Sequence, residues 1–218
     1  MCRDFACPDR DCALCPRLKA FIDNNRRLYP GFFNAPVPSF GDLNGELLIV
    51  GLAPGLRGAN RTGRPFTGDF AGDLLYKSLI DYGFAAGTYQ ARPDDGLKLI
   101  NTRLTNAVRC VPPENKPTGG EVKTCSAFLI REINAMPNLK VVLALGSLAH
   151  NAVLSVFGAK KSACKFAHNA LHSVLFGERE IKLLDTYHTS RYNVNTGKLT
   201  PEMFDAVFKT LAALMPRG

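Results

Sequence analysis

The chain has 218 residues, enough for one medium domain with a hydrophobic core and too few for a comfortable pair. It is 46% apolar and 21% charged, which excludes a disordered or fibrous protein, and no apolar run nears the ~20 residues a bilayer crossing needs. Lys plus Arg number 27 against 19 Asp plus Glu, a formal charge of +8 that suggests a polyanionic partner, nucleic acid before membrane. The charged opening Met1-Cys2-Arg3-Asp4 does not read as a signal peptide, so the expectation is a soluble cytoplasmic protein without a membrane partner.

In chain order, residues 1–45 form a basic, cysteine-bearing preface punctuated by Pro and Gly. Glu46 to Val50 is a short apolar run ending at Gly51, the pattern of a strand buried on both faces. Gly51 to Asp69 then holds five glycines and two prolines in nineteen residues, a loop long enough to be functional. Ala71 to Gly83 reads as a helix on Leu74, Leu75, Ile80 and Tyr82, and 85–97 as loop. Leu99-Ile100 and Leu104 to Val108 read as extended and lead to Cys110-Val-Pro-Pro113. Glu121 to Ala135 is a helix with Val122, Cys125, Leu129 and Ile133 on one stripe. Val141 to Leu145 is a second buried strand, followed by Ser147 as N-cap of a helix through Val156. Ile181 to Leu184 begins a strand ending near His188, and Met203 to Leu214 closes the chain as an amphipathic helix.

Alternating buried strands and helices predict an α/β fold with a parallel sheet between helical layers. Ligands bind such sheets beyond the carboxyl ends of the strands, so loops 51–69 and 188–200 should face one crevice. The glycine-rich loop has no Gly-x-Gly-x-x-Gly and no Walker lysine, which argues against a common nucleotide cradle.

Seven cysteines in a cytosolic chain suggest a metal rather than disulfides. Cys12 and Cys15 have metal-pair spacing, and Cys110 and Cys125 flank a Pro-rich turn, so a four-thiolate site closed by the fold is expected, holding zinc or iron–sulfur. Cys7, Cys12 and Cys15 also fit a ferredoxin-type run, which leaves the N-terminal choice open. Cys2, Cys7 and Cys164 read as plain buried thiols. Cys164, His168 and His172 recur at helical spacing; core or surface histidines are preferred there over three ligands on one helical face. Two readings stand for His188, a proton donor facing the crevice or a capped structural residue. Asp69 likewise either activates water or caps the helix that follows.

Together, Cys12-Ala-Leu-Cys15, Pro36 to Asp42, Gly58 to Asp69, Asn106 to Pro113 and His188 to Gly197 resemble the uracil-DNA glycosylase superfamily, most closely its iron–sulfur family 5. They run in family order over nearly the whole chain. The resemblance implies a three-layer α/β/α domain on a mainly parallel four-stranded sheet, with the preface docked through the cluster. It implies a monofunctional glycosylase acting on uracil, and on hypoxanthine or other deaminated bases, in double- or single-stranded DNA, as a monomer. Cys12, Cys15, Cys110 and Cys125 are then the ligands of a structural [4Fe–4S] cluster. Phe66 stacks on the extruded base, Asn106 reads its edge, and Gly51 and Ala53 shape its pocket. Asp69 positions water and His188 stabilises the departing base. Ser190, Arg191 and Arg61 contact DNA along with Arg57 and Arg64, and Tyr192 falls where relatives carry a wedge. Thr189 stands where the family commonly has Pro, and Leu52 where some families have a polar residue. Those two departures keep a second function open: a non-catalytic, metal-stapled nucleic-acid-binding module.

Overall fold

A strand buried on both faces needs a helical layer on each, and the computed structural model, which describes residues 7–216, has both. Cys2 and the charged opening lie outside the described residues. The helices are α1 (Pro16–Leu28), α2 (Ala59–Thr62), α3 (Phe70–Asp81), α4 (Gly119–Ala135), α5 (Ser147–Phe157), α6 (Arg191–Asn195) and α7 (Pro201–Leu214). The strands are β1 (Phe40–Gly41), β2 (Leu47–Gly51), β3 (Ala85–Ala86), β4 (Lys98–Leu99), β5 (Thr102–Asn106), β6 (Val141–Leu145), β7 (Leu171–Phe176) and β8 (Arg179–Thr186). No helix among the described residues is long and apolar enough to cross a membrane.

The main sheet runs β1-β5-β2-β6-β8-β7. Its four central strands are mutually parallel, and an antiparallel strand is added at each edge. Side chains alternate along the strands. Leu47, Ile49, Leu143 and Leu184 meet α3 and α7 through Leu75, Leu79, Phe204 and Phe208. Leu48, Val50, Val142 and Leu183 meet α4 and α5 through Leu129, Ile133, Val153 and Leu154.

Several sequence expectations are corrected. β7 overturns the helical spacing of Cys164, His168 and His172: His168 lies in a turn and His172 on an edge strand paired with Leu183. Loop 51–69 contains the single turn of α2, and loop 188–200 contains α6. The stretch 85–97 opens with β3, which pairs with β4 in a separate two-stranded sheet. Ser147 is the first residue of α5, while Gly146, at φ 92°, takes the cap position in a conformation that L side chains disfavour. At α4 the expected register holds, fixed by a capping box between Thr118 and Glu121.

The preface contributes α1, whose Leu18 and Ile22 bury against Val108, Val111 and Phe128. Arg17 reaches across with a two-pronged bond to Glu121, Nε to Oε1 at 2.8 Å and Nη2 to Oε2 at 2.7 Å. α1 is thereby joined to α4, and the segments bearing Cys15 and Cys125 are held side by side. Behind them lies a fully buried ion cluster. Glu132 accepts from Arg103 Nε at 2.7 Å, from Thr105 Oγ1 at 3.0 Å and from Arg109 Nη2. A lone buried carboxylate would be costly; two guanidiniums and a hydroxyl satisfy it.

Candidate functional site

At the carboxyl ends of the parallel strands the sheet opens into a cleft of about 660 Å³. Loop 51–69 forms one wall and loop 188–200 another, as the strand pattern predicts. Phe66, Asp69, Asn106 and His188, from four separate segments, line this one cavity, and Ala53 lies at its floor loop.

The first wall is built by close approach. Asn106 ends β5, is 3% exposed, and pairs in register with Gly51 at the end of β2. A β-carbon at Gly51 would stand 2.6 Å from both Asn106 Oδ1 and Phe66 Cζ, so only glycine lets amide and ring meet there. Phe66 holds a positive φ of 52°, which turns its ring back over β2. Gly51→Ala should therefore displace both side chains and cost about 1–3 kcal/mol, the range for overpacking a tight site, read as a lower melting temperature.

Asp69 occupies the cap position of α3 without a side-chain capping bond of full geometry, yet the Ala71 and Gly72 amides face its carboxyl, so the cap and the water-positioning readings both stand. Its Oδ1 is buried with no hydrogen-bond partner, and Gly58 is bare where a β-carbon would meet Oδ2 at 2.0 Å. Burial raises its carboxyl above the usual range, while the amides of Gly72 and Ala71 pull the other way. A carboxylate on a cleft wall is suited to hold a water molecule or take its proton.

His188 follows β8 and lines the cleft, its pKa held below the ordinary histidine range by burial. Asn193 Nδ2 donates to the His188 carbonyl at 2.8 Å, and Ser190 caps α6 by accepting from Asn193 N–H at 3.3 Å. Thr189 does not loosen this loop. It is fully buried, and its hydroxyl donates to the Ala71 carbonyl at 3.0 Å, pinning the loop to the start of α3. The Arg191 guanidinium lies 5.4 Å from the centre of the Phe70 ring, a second tie between the same elements. Tyr192 stands 74% exposed beyond the cleft, an unpartnered aromatic at the tip of the loop.

The arginines divide. Arg57 and Arg191 line the cleft. Arg61 is exposed, its Nε spent on the Arg57 carbonyl at 2.8 Å. Arg64 is a correction: it is buried, gives two 2.7 Å bonds to Asp95, and is ringed by Phe40, Tyr76 and Tyr89. It braces the loop and is out of reach of a phosphate. The cleft also uses residues that sequence reasoning passed over: Leu148, Phe166 and Lys198. They carry no chemical motif, and only the folded chain brings them to the wall.

On the far side of Asn106, Cys12, Cys15, Cys110 and Cys125 line a second pocket with Leu18 and Phe128. Burial pushes the Cys110 thiol up to about 12, and the other three sulfurs push it the same way. Burial likewise raises Cys125 and Cys15. Four thiols gathered in an apolar pocket form a site whose chemistry calls for a cationic, sulfur-seeking centre. The Arg109 amide, 3.4 Å from Cys125 Sγ, is oriented to hydrogen-bond a bound thiolate. Cys7 is not among the residues lining this pocket. Cys164 is buried in the α4–α5 layer, the plain thiol expected.

Comparison with known proteins gives concordant matches. A family model described as the uracil DNA glycosylase superfamily matches residues 38–212. A type-5 uracil-DNA glycosylase of Thermus thermophilus is 45% identical over 211 residues, covering 93% of this chain and 94% of its own. A type-5 uracil-DNA glycosylase of Pyrobaculum aerophilum is 40% identical over 207 residues, 93% of this chain and 88% of its own. A type-4 uracil-DNA glycosylase of Sulfurisphaera tokodaii is 31% identical over 175 residues, 78% and 72% of the two chains.

Proposed function

The chain belongs to the uracil DNA glycosylase superfamily, and from that premise we propose that it excises uracil from DNA by hydrolysing the N-glycosidic bond. The observation that carries this reading is the convergence of Phe66, Asp69, Asn106 and His188 on one cleft at the strand ends. A base within a duplex hides its glycosidic bond, so it must be turned out into such a cleft. Phe66 offers the aromatic face that replaces lost stacking, worth about 1–3 kcal/mol. Asn106 offers a donor and an acceptor to one pyrimidine edge. Bond cleavage leaves positive charge on the sugar and negative charge on the base. The Asp69 carboxylate faces the first and holds the attacking water; the His188 ring donates to the second. Tyr192, on a pinned and exposed loop, is the wedge that fills the space the base vacates. Arg57, Ser190, Arg191 and Arg61 meet backbone phosphates. We propose hypoxanthine and other deaminated bases as further substrates of the same cleft. We propose a cytoplasmic monomer acting on double- and single-stranded DNA.

The test is single-turnover release of base from a duplex carrying one uracil, scored by alkali cleavage at the abasic site. The proposed reaction requires cleavage by the wild type and a sharp fall in Asp69→Asn. That variant should also melt higher at neutral pH. A carboxyl whose folded pKa lies above its unfolded value loses stability as pH rises through the folded value, and the amide removes that loss. Absence of cleavage at any enzyme excess would overturn the proposal.

The four-cysteine pocket fits a [4Fe–4S] cluster held by Cys12, Cys15, Cys110 and Cys125. The fold brings the sequence pair Cys12 and Cys15 together with Cys110 and Cys125, and Cys125 already faces an amide donor. When bound, the cluster supplies structural cross-linking of α1, α4 and the segment after β5.

A further inference from the structure

Behind the strand that carries His188 lies a second convergence of ligating side chains that the glycosylase reaction does not use. Asp185 of β8 is fully buried, and its two oxygens face imidazoles from different elements. His150 Nδ1, on α5, lies 2.7 Å from Oδ1, and His172 Nε2, on β7, lies 3.1 Å from Oδ2. One ligand atom from each of the three falls within 4.8 Å of the other two.

The donor arithmetic at His150 is restrictive. Its Nε2 lies 3.0 Å from the Cys164 carbonyl oxygen, which can only accept, so Nε2 carries the hydrogen. In the neutral ring Nδ1 is then a lone pair, and it faces a carboxylate oxygen at 2.7 Å. Two acceptors at that distance share a proton, and an ion bound to both atoms would displace it and part them toward about 3.3 Å, given metal–ligand bonds of about 2.0 Å. Metal-binding histidines characteristically anchor their other nitrogen on a backbone carbonyl, as His150 does here. Two imidazoles and one carboxylate are the donor set of zinc and its first-row neighbours. His172 is half-buried, which leaves a side open for a water as fourth ligand.

We propose that His150, His172 and Asp185 bind one zinc-class divalent ion, at a site separate from the four-cysteine pocket. The ion joins α5, β7 and β8 three residues before His188. Phe166 packs edge-on against the His150 ring at 5.6 Å and is also a wall of the cleft, so one aromatic layer separates the ion from the substrate. Its role is to fix the strand end that carries His188, not to meet the base.

The test uses the cluster-loaded protein titrated with Co²⁺ as a coloured probe and then with Zn²⁺. Expected are d–d bands without a thiolate charge-transfer band, saturation at one equivalent, and displacement by Zn²⁺. His172→Ala and the bulkier His172→Gln should bind about 100-fold more weakly or worse, with cluster absorption and circular dichroism unchanged. Both sit on an edge strand, so at least one folded comparison is at hand. Folded wild type that binds neither ion would overturn the proposal and assign the contact to a shared proton. So would equal affinity in the folded variant, which would place the ion elsewhere.

Discussion

His188→Ala should slow single-turnover uracil release by about 10²–10³-fold, the loss typical of removing one donor aimed at a developing anion. DNA binding should be largely retained, because the loop that carries His188 is held by other groups: Thr189 on the Ala71 carbonyl, and Arg191 over Phe70. Enzyme in excess of DNA isolates the chemical step, so the loss belongs to the transition state and not to capture. A wild-type rate would remove His188 from the mechanism.

The pH profile separates the two groups on the cleft walls. Burial holds His188 below the ordinary histidine range, so its ring is neutral at neutral pH and acts as a hydrogen-bond donor without a net charge. The rate should therefore not climb as pH falls toward about 6.5, where a free histidine gains its proton. Asp69 is shifted the other way, and its ionised form is the one proposed to orient water. The rate should fall as pH drops through that raised value, and His188→Ala should keep this acid limb while losing amplitude.

What was legible in the chain follows from the kind of force involved. The central strands are apolar runs bounded by glycine, and burial on both faces wrote them plainly at Leu47–Gly51 and Val141–Leu145. β7 was hidden because an edge strand buries little: only Val174 of its six residues is buried. Its signal was the Gly177-Glu178 turn, with Gly177 at φ 63°, which links β7 to β8 as a hairpin. The spacing of Cys164, His168 and His172 masked that turn. Arg64 misleads for another reason. A cation in a glycine-rich loop looks solvated, and its partner Asp95 lies 31 residues away in a stretch without pattern. Phe66, Asp69, Asn106 and His188 are legible because the motif order places them. Leu148, Phe166 and Lys198 are not, since they belong to no motif and reach the wall only in the folded chain.

Cys110→Ser should lose most of the iron and lower the melting temperature by about 10 °C. Loss of a metal site belongs among the largest single-residue effects, about 4 kcal/mol, and a chain of this size loses about 2–4 °C per kcal/mol. Full iron content with a native melting curve would contradict the cluster assignment. The consequence for catalysis is more selective. Asn106, the residue proposed to read the base, ends β5, and Cys110 lies four residues on, so loss of the proposed cluster would pull on Asn106. That segment is clamped independently, however. Ala107 N–H donates to the Gly51 carbonyl at 2.9 Å and Val108 N–H to the Leu52 carbonyl at 2.8 Å. The Arg109 side chain is held by Glu132 and Ser39. Those bonds lie between the cluster and Asn106, and they do not depend on iron. Below its lowered melting temperature, Cys110→Ser should therefore retain excision within about tenfold of wild type, a loss of no more than about 1.4 kcal/mol. Activity that vanished in proportion to iron, in protein shown to be folded, would mean that the clamp does not hold Asn106 by itself.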